Sequence, residues 1–256
     1  MENRWQSMNI SQIKKSVTAM CEEDRLAACA TLLEDERKGV VSFAQKTLRD
    51  HDKLLQERAR LKKLWRFEEE AFEAGYHIVI GTDEVGRGPL AGPVVAAAVI
   101  LSKDSEIIGI NDSKKLSEKR REALAEEIQK KSLAYAIAEV SAAEIDRLNI
   151  LHAAELAMKN AIEKLPFGDF VLIDGQNHLD ITLASRNIIG GDTLSISIAA
   201  ASIVAKVHRD HRMKMFDELY PQYGFAQNKG YPTFDHYEAL RQFGPCPIHR
   251  QSFRLT

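Results

Sequence analysis

The stretch His77–Leu101, HIVIGTDEVGRGPLAGPVVAAAVIL, decides how the chain is read. His77–Thr82 alternates and is β-rich, and Val94–Leu101 is apolar throughout, the pattern of a strand buried on both faces. Between them lie Asp83 and Glu84, followed by Gly86, Arg87, Gly88, Pro89 and Gly92. Adjacent carboxylates at the end of a core strand repel each other, and burying them without a partner is costly. A divalent cation would account for the pair. Consecutive strand residues point to opposite faces, so both acids reach one metal cluster only if the strand ends or twists at Glu84. Gly86 and Gly88 permit such a departure. The glycine spacing also loosely matches a dinucleotide-binding loop, but that loop needs a helix opening at the glycines, and here Pro89, Pro93 and a second strand follow. A tight hairpin with solvated acids is the remaining reading.

Working outward, a second strand ends in an acid. FVLIDGQN (170–177) is apolar up to Asp174, which a glycine follows at once, so two strands deliver carboxylates to one sheet edge. Ile181–Ile189 reads as a further strand leading to Gly190, Gly191 and Asp192. A long helix is expected over Leu194–Tyr220. Asp192 sits just before it, as a metal ligand or as the helix cap. Small residues at Ala199–Ser202 let this helix lie close to the sheet, and beyond Val204 it turns basic, with Lys206, Arg209, Arg212 and Lys214. Asp210 lies four residues beyond Lys206 and reads first as its ion-pair partner, second as a support behind a metal ligand. His208 and His211 lack the further ligand a zinc signature needs.

NDSKKLS (111–117) places Ser113, Lys114 and Lys115 before a helix capped by Ser117, which suits either a phosphate contact or a solvated basic loop. Leu133–Val140 is another strand, followed by helical segments over Ala142–Leu165. Near the end, Gly230, Tyr231, Pro232 and Thr233 form a loop before a final helix, Phe234–Phe243. Tyr231 can stack on a sugar or base, or simply pack.

The 256 residues allow one large domain and a small one. The net charge of -2 argues against a uniformly basic nucleic-acid coat, so such a partner would be met by a local patch. Cys21, Cys29 and Cys246 are too scattered for a disulfide framework or a zinc knuckle, which favours a cytosolic thiol state. Met1–Ile10 lacks the apolar core of a secretory signal, and no segment reads as membrane-spanning. The expectation is a cytoplasmic monomer with no protein partner readable from the residues. Residues 1–73 read as wholly helical: Ser11 as a cap, apolar stripes over Asp24–Leu33 and Val40–Leu48, then a charged amphipathic linker helix over Arg49–Glu73. Its Lys and Arg residues form a solvated face or a binding surface. Residues 74–256 are expected to be the main domain.

GTDEVGRGPLAGPVVAAAVIL, DSKKLS, LIDGQ, GGDTLSISIAAASIVAKVHRD and NKGY, in order from about residue 77 to the C-terminus, resemble the signature segments of the bacterial type 2 ribonucleases H, the ribonuclease HII family. The first seventy or so residues fall outside that resemblance. It implies an α/β fold, a ribonuclease H-like mixed five-stranded sheet flanked by helices, here preceded by a small all-helical module. It implies hydrolysis of RNA within RNA–DNA hybrids and incision 5′ of a ribonucleotide in duplex DNA, leaving a 3′-hydroxyl and a 5′-phosphate. The implied setting is ribonucleotide excision repair and DNA replication.

Carried over by motif, Asp83, Glu84, Asp174 and Asp192 would bind Mn²⁺ or Mg²⁺; phosphodiester chemistry suits two such ions, and Asp83 is the candidate to bridge them. Gly86, Arg87 and Gly88 would read the 2′-hydroxyl and Tyr231 would pack on the sugar; from their charge, Arg87, Lys114, Lys115 and Lys206 are the candidates for holding phosphates, with Ser113 a further substrate contact. The residues themselves suit this, since hard oxygen ligands favour such ions and four carboxylates nearly balance two of them. Two alternatives stay open: another metal-dependent nuclease of the same fold without a 2′-hydroxyl requirement, and a hybrid-duplex binding protein that does not cut.

Overall fold

The computed structural model describes residues 5–103 and 105–255. The chain forms two compact units, Met1–Arg60 and Leu61–Thr256.

The first unit holds α1 (Ile10–Thr18), α2 (Glu22–Leu32) and most of α3 (Lys38–Leu64). Its core is Trp5, Ile13, Val17, Cys29, Leu32, Val40 and Ala44. The cap of α1 is Asn9 rather than the expected Ser11. Asn9 Oδ1 accepts from Gln12 N, and Gln12 Oε1 accepts from Asn9 N, so each side chain satisfies a donor the helix cannot. The expected third helix and the first part of the linker form one continuous helix, α3, which ends at Leu64; after Trp65 the rest of the linker is α4 (Arg66–Glu73). Leu61 and Leu64, from the stretch expected to be linker, are buried in the second unit.

In that unit the strands are β1 (Val79–Val85), β2 (Val94–Leu101), β3 (Ser132–Val140), β4 (Phe170–Asp174) and β5 (Ala184–Ile188), ordered β3-β2-β1-β4-β5. The β1–β2 and β2–β3 pairs are antiparallel, and the β1–β4 and β4–β5 pairs are parallel. Because β1, β4 and β5 run the same way, their C-terminal ends share one edge. Strand β1 runs on through Asp83 and Glu84, which pair with Ala97 and Ala96 of β2. Alternation divides β2 between two cores. Val95, Ala97, Val99 and Leu101 face α5 (Glu118–Lys131) and α8 (Ile196–Leu219), while Val94, Ala96, Ala98 and Ile100 face α7 (Ile150–Glu163). Both faces are therefore covered, as the unbroken apolar run of β2 requires.

The helical stretch after β3 is split at Asn149. Its positive φ of 68° ends α6 (Ala142–Leu148), and its side chain caps α7 by accepting from Leu151 N and His152 N. Strand β5 is shorter than expected. Ile181 and Leu183 still pack on the α7-side core, but outside any strand. Two short helices complete the unit, α9 (Phe225–Asn228) and α10 (Phe234–Phe243), the latter capped by Thr233.

Helix α8 is fixed at its N-terminus by a buried carboxylate from α4. Glu68 Oε1 accepts from Ser195 Oγ and Ser197 Oγ, both at 2.5 Å, and from Ser197 N at 3.0 Å. Its Oε2 is buried without a hydrogen-bond partner. Burial pushes the Glu68 carboxyl above its ordinary value of 4.5, against the pull of the serine donors. A raised folded value means that the ionised form costs stability, and this cost grows as pH climbs above the ordinary carboxylate range. Glu68→Gln keeps an acceptor oxygen without the charge, so its melting temperature should equal or exceed that of the wild type at pH 8. Glu68→Ala strands the serine donors and should cost about 1–3 kcal/mol. Thermal melts at pH 5 and pH 8 check both; a Gln variant less stable than wild type at pH 8 would contradict the account.

Candidate active site

Parallel strand ends and the turn after β5 build the site. Strand β1 delivers Asp83 and Glu84. In the parallel register Thr82 pairs with Ile173, so the next residue of β4, Asp174, comes level with Asp83. Asp174 pairs with Ile188 of β5, from which the chain turns through Gly190 to Asp192. Asp192 lies in a 3₁₀ turn, Gly191–Thr193, and does not cap α8; the cap is Ser195, whose hydroxyl accepts from Ile198 N. Helix capping therefore does not account for Asp192.

All four acids line one cleft of about 220 Å³, together with Val85, Gly86, Arg87, Gly88, Ser113, Lys114, Ser202 and Tyr231. Asp83 is buried on the α8 side of the sheet, where Glu84 N donates to its Oδ1 at 2.7 Å. Burial first, then the charges of Glu84 and Asp174, push its carboxyl well above the ordinary value; the Ser202 hydroxyl and the Glu84 N–H pull the other way. Glu84 is also raised, chiefly by burial, although Arg87 Nη1 stands 3.1 Å from its Oε1. Burial, with Asp174 and Asp112, raises Asp192, against the pull of Lys114 and Lys115. Such mutual destabilisation among clustered carboxylates marks a site that wants positive charge.

The donor set fits hard divalent cations. Glu84 Oε2 is buried with no hydrogen-bond partner, an acceptor left over at the cleft. Among the described residues no group of three or more His, Cys, Asp or Glu side chains is placed to hold a metal ion as it stands. Arg87 takes up one oxygen of Glu84, and Gly191 N, donating at 2.6 Å, takes up Asp174 Oδ1.

Other expected residues are placed as follows. Gly86, Arg87, Gly88, Ser113, Lys114 and Tyr231 line the cleft, with Tyr231 41% exposed and therefore available to a ligand. Lys115 is not among the lining residues and stands 3.9 Å from Asp112. Lys206 is also outside the lining and is paired with Asp210 at 2.7 Å, while Arg121 approaches the other Asp210 oxygen at 3.7 Å. Asp210 is thus tied to cations, as its spacing from Lys206 suggested. His208 and His211 pair with Glu139 and Glu122.

Sequence reasoning passed over Ser202, which bridges the Asp83 side of the cleft to Ser113 with the two hydroxyl oxygens 3.2 Å apart. The small-residue run Ala199–Ser202 was the available signal, since helices that lie flat on a sheet bring such residues against strand ends.

A family model described as ribonuclease HII matches residues 80–256, and one described as ribonuclease HII N-terminal domain matches residues 9–72. The chain belongs to the ribonuclease HII family. It is accordingly an enzyme, a hydrolase of the ribonuclease H type, with the family's catalytic fold and a helical N-terminal extension. Ribonuclease HII of Listeria monocytogenes (serotype 4a, strain HCC23) is 52% identical over 222 residues, covering 86% of this chain and 85% of the relative. That of Clostridioides difficile (strain 630) is 45% identical over 251 residues, covering 97% and 98%.

Among solved structures, ribonuclease HII of Archaeoglobus fulgidus, determined in complex with PCNA, superposes with a TM-score of 0.62 at 26% identity over 70% of this chain and 96% of that one. Ribonuclease H2 of Pyrococcus horikoshii shares the fold, with a TM-score of 0.61 at 24% identity over 70% and 95%. No helix among the described residues of the enzyme is long and apolar enough to cross a membrane.

Proposed function

We propose that the enzyme hydrolyses the RNA strand of RNA–DNA hybrids and incises duplex DNA on the 5′ side of an embedded ribonucleotide, leaving a 3′-hydroxyl and a 5′-phosphate. The observation that carries this reading is the convergence of Asp83, Glu84, Asp174 and Asp192 on the cleft that also exposes the Gly86–Gly88 backbone and Tyr231. The acids would hold two Mg²⁺ or Mn²⁺ ions, for which all-oxygen ligands are suited. When bound, such ions activate a water and stabilise the leaving oxygen of a phosphodiester.

The chain's own residues do the positioning. Lys114 and Arg87, at the mouth of the cleft, neutralise phosphates and set the duplex in register without reading sequence. Gly88 has no side chain to hold the backbone away from a sugar, and an added Cβ there would lie 3.7 Å from Tyr231 Cε1, in ordinary van der Waals contact, so the two are neighbours in the cleft lining. Exposed backbone beside an aromatic ring suits a ribose: polar groups meet the 2′-hydroxyl and the ring packs on the sugar face. Ser202 and Ser113 keep Asp83 oriented from behind. Binding should weaken with salt and be indifferent to base identity. The biological setting that follows is removal of ribonucleotides from DNA.

The test uses three duplexes with Mg²⁺ or Mn²⁺: DNA carrying one ribonucleotide, an all-DNA control of the same sequence, and a long RNA–DNA hybrid. We expect cleavage of the first and third and none of the second, with the single-ribonucleotide product ending in a 3′-hydroxyl. Cutting of the all-DNA control would indicate a nuclease of this fold without a 2′-hydroxyl requirement. Binding without cleavage of any duplex would indicate a non-catalytic duplex binder.

A further inference from the structure

Two arginines distant in sequence from the β1–β2 loop are fully buried, and Arg250 spends all three of its hydrogen bonds, Arg209 two of its three, on that loop. Arg250, in the C-terminal tail, donates from Nη2 to Gly86 O at 2.6 Å, from Nη1 to Arg87 O at 2.9 Å and from Nε to Gly92 O at 3.0 Å. Arg209, on α8, donates from Nε to Pro93 O at 3.0 Å, from Nη2 to Ala91 O at 3.2 Å and from Nη1 to Lys229 O at 3.0 Å. Two guanidinium charges beside each other in the interior are expensive, and burial pushes Arg250 down to about 9 and Arg209 down to about 10. A loop that needed only to close a hairpin would not require them.

Their effect follows from peptide geometry. The peptides here are trans and planar, so each carbonyl points away from the N–H of the following residue. With Gly86 O and Arg87 O both drawn inward to Arg250, the N–H groups of Arg87 and Gly88 face the other way. Gly86, Arg87 and Gly88 line the cleft and Arg250 does not, so the other way is the cleft. Neither amide finds an acceptor among the described residues. Gly86 allows the arrangement, since its φ is +96° and a Cβ there would stand 2.2 Å from Arg209 Nε.

We infer that Arg250, backed by Arg209, is a positioning residue for substrate discrimination: it fixes the Gly86–Gly88 backbone so that the Arg87 and Gly88 amides meet the ribose 2′-hydroxyl and its adjoining phosphate. The inference rests on the reading of this cleft as a ribonucleotide site. Arg250→Lys preserves a positive charge but cannot hold three carbonyls in a fixed fork.

The test is a pair of affinities, measured with the full chain in EDTA at one salt concentration, for duplex DNA with one ribonucleotide and for its all-DNA counterpart. The wild type should prefer the ribonucleotide duplex by about tenfold or more, the equivalent of one or two well-made hydrogen bonds. In Arg250→Lys that ratio should fall towards one while all-DNA affinity stays within about twofold, because phosphate attraction does not depend on the loop's orientation. A general loss of structure would weaken both duplexes together. A ratio unchanged in Arg250→Lys overturns the inference alone; a wild-type ratio of one overturns the ribonucleotide reading and this inference with it.

Amide hydrogen exchange on the wild type gives a second measurement that needs no variant. The Arg87 and Gly88 amides should exchange freely in the unbound chain and slow by about tenfold with the ribonucleotide duplex but not with DNA. Protection of both amides in the unbound chain would refute the geometry.

Discussion

Asp83→Asn is expected to lower the cleavage rate on a ribonucleotide-containing duplex by about a thousandfold or more, the scale of losing a metal ligand in the proposed mechanism. It is also expected to raise the melting temperature of the metal-free chain. The stability gain follows from the surroundings of Asp83. Asp83 is buried, and Glu84 and Asp174 repel its charge, so its carboxyl is raised far above the ordinary value of 3.8. For a carboxylate raised in the folded state, ionisation costs stability. The cost is absent well below pH 3.8, grows as pH rises towards the folded value, and is complete above it. Asn keeps the shape and accepts the same Glu84 N–H without the charge. Relief of about 1–3 kcal/mol at neutral pH is the expected scale, or about 2–4 °C per kcal/mol for a unit of this size. Saturating Mg²⁺ should reverse the order, stabilising wild type more than the variant. A rate within tenfold of wild type would remove Asp83 from the mechanism.

Gly81→Ala should be the most damaging single-methyl change in the sheet. Helix α8 crosses β1 so closely that a Cβ on Gly81 would lie 2.2 Å from the backbone carbon of Ser197 and 2.4 Å from Ile198 N. Backbone cannot move aside as a flexible side chain does, so strand and helix must separate. Overpacking of this kind typically costs about 1–3 kcal/mol, and a clash with main chain on one side and a sheet on the other belongs at or above the top of that range. The Glu68 bonds to Ser195 and Ser197 and the placement of Ser202 behind Asp83 depend on the same approach, so activity should fall along with stability. A melting temperature within about 2 °C of wild type, against the shift expected for a loss of 3 kcal/mol, would show that the helix has room to spare.

The catalytic fold was legible because its signals are local. The apolar run Val94–Leu101 marked a strand buried on both faces, and the loop Gly230–Thr233 marked the start of a helix over Phe234–Phe243; both elements were found within those bounds. Acids at the ends of β1 and β4 could be read because a core strand has few other reasons to finish in a carboxylate. Asp192 was ambiguous in sequence, since an acid before a helix is ordinarily a cap, and only the three-residue offset to Ser195 separated the two roles.

Apart from the cap of α1, what escaped the sequence was long-range. Asn9 displaced Ser11 because Gln12, three residues on, completed a reciprocal cap. Arg209 looked like one more basic residue on a basic helix end, yet it is fully buried. Its partners, like those of Arg250, are backbone carbonyls, which carry no residue identity and so leave no pattern to read. Glu68 likewise meets its serines 127 and 129 positions away.

The most direct test of the central claim, that Asp83, Glu84, Asp174 and Asp192 form one cation site, is a crystal of the full chain soaked in Mn²⁺ and measured for anomalous scattering. Peaks within about 2.0–2.6 Å of carboxylate oxygens of Asp83 and at least one acid from another strand or turn are the predicted result. Manganese bound elsewhere, with this cleft empty at saturating concentration, would contradict it.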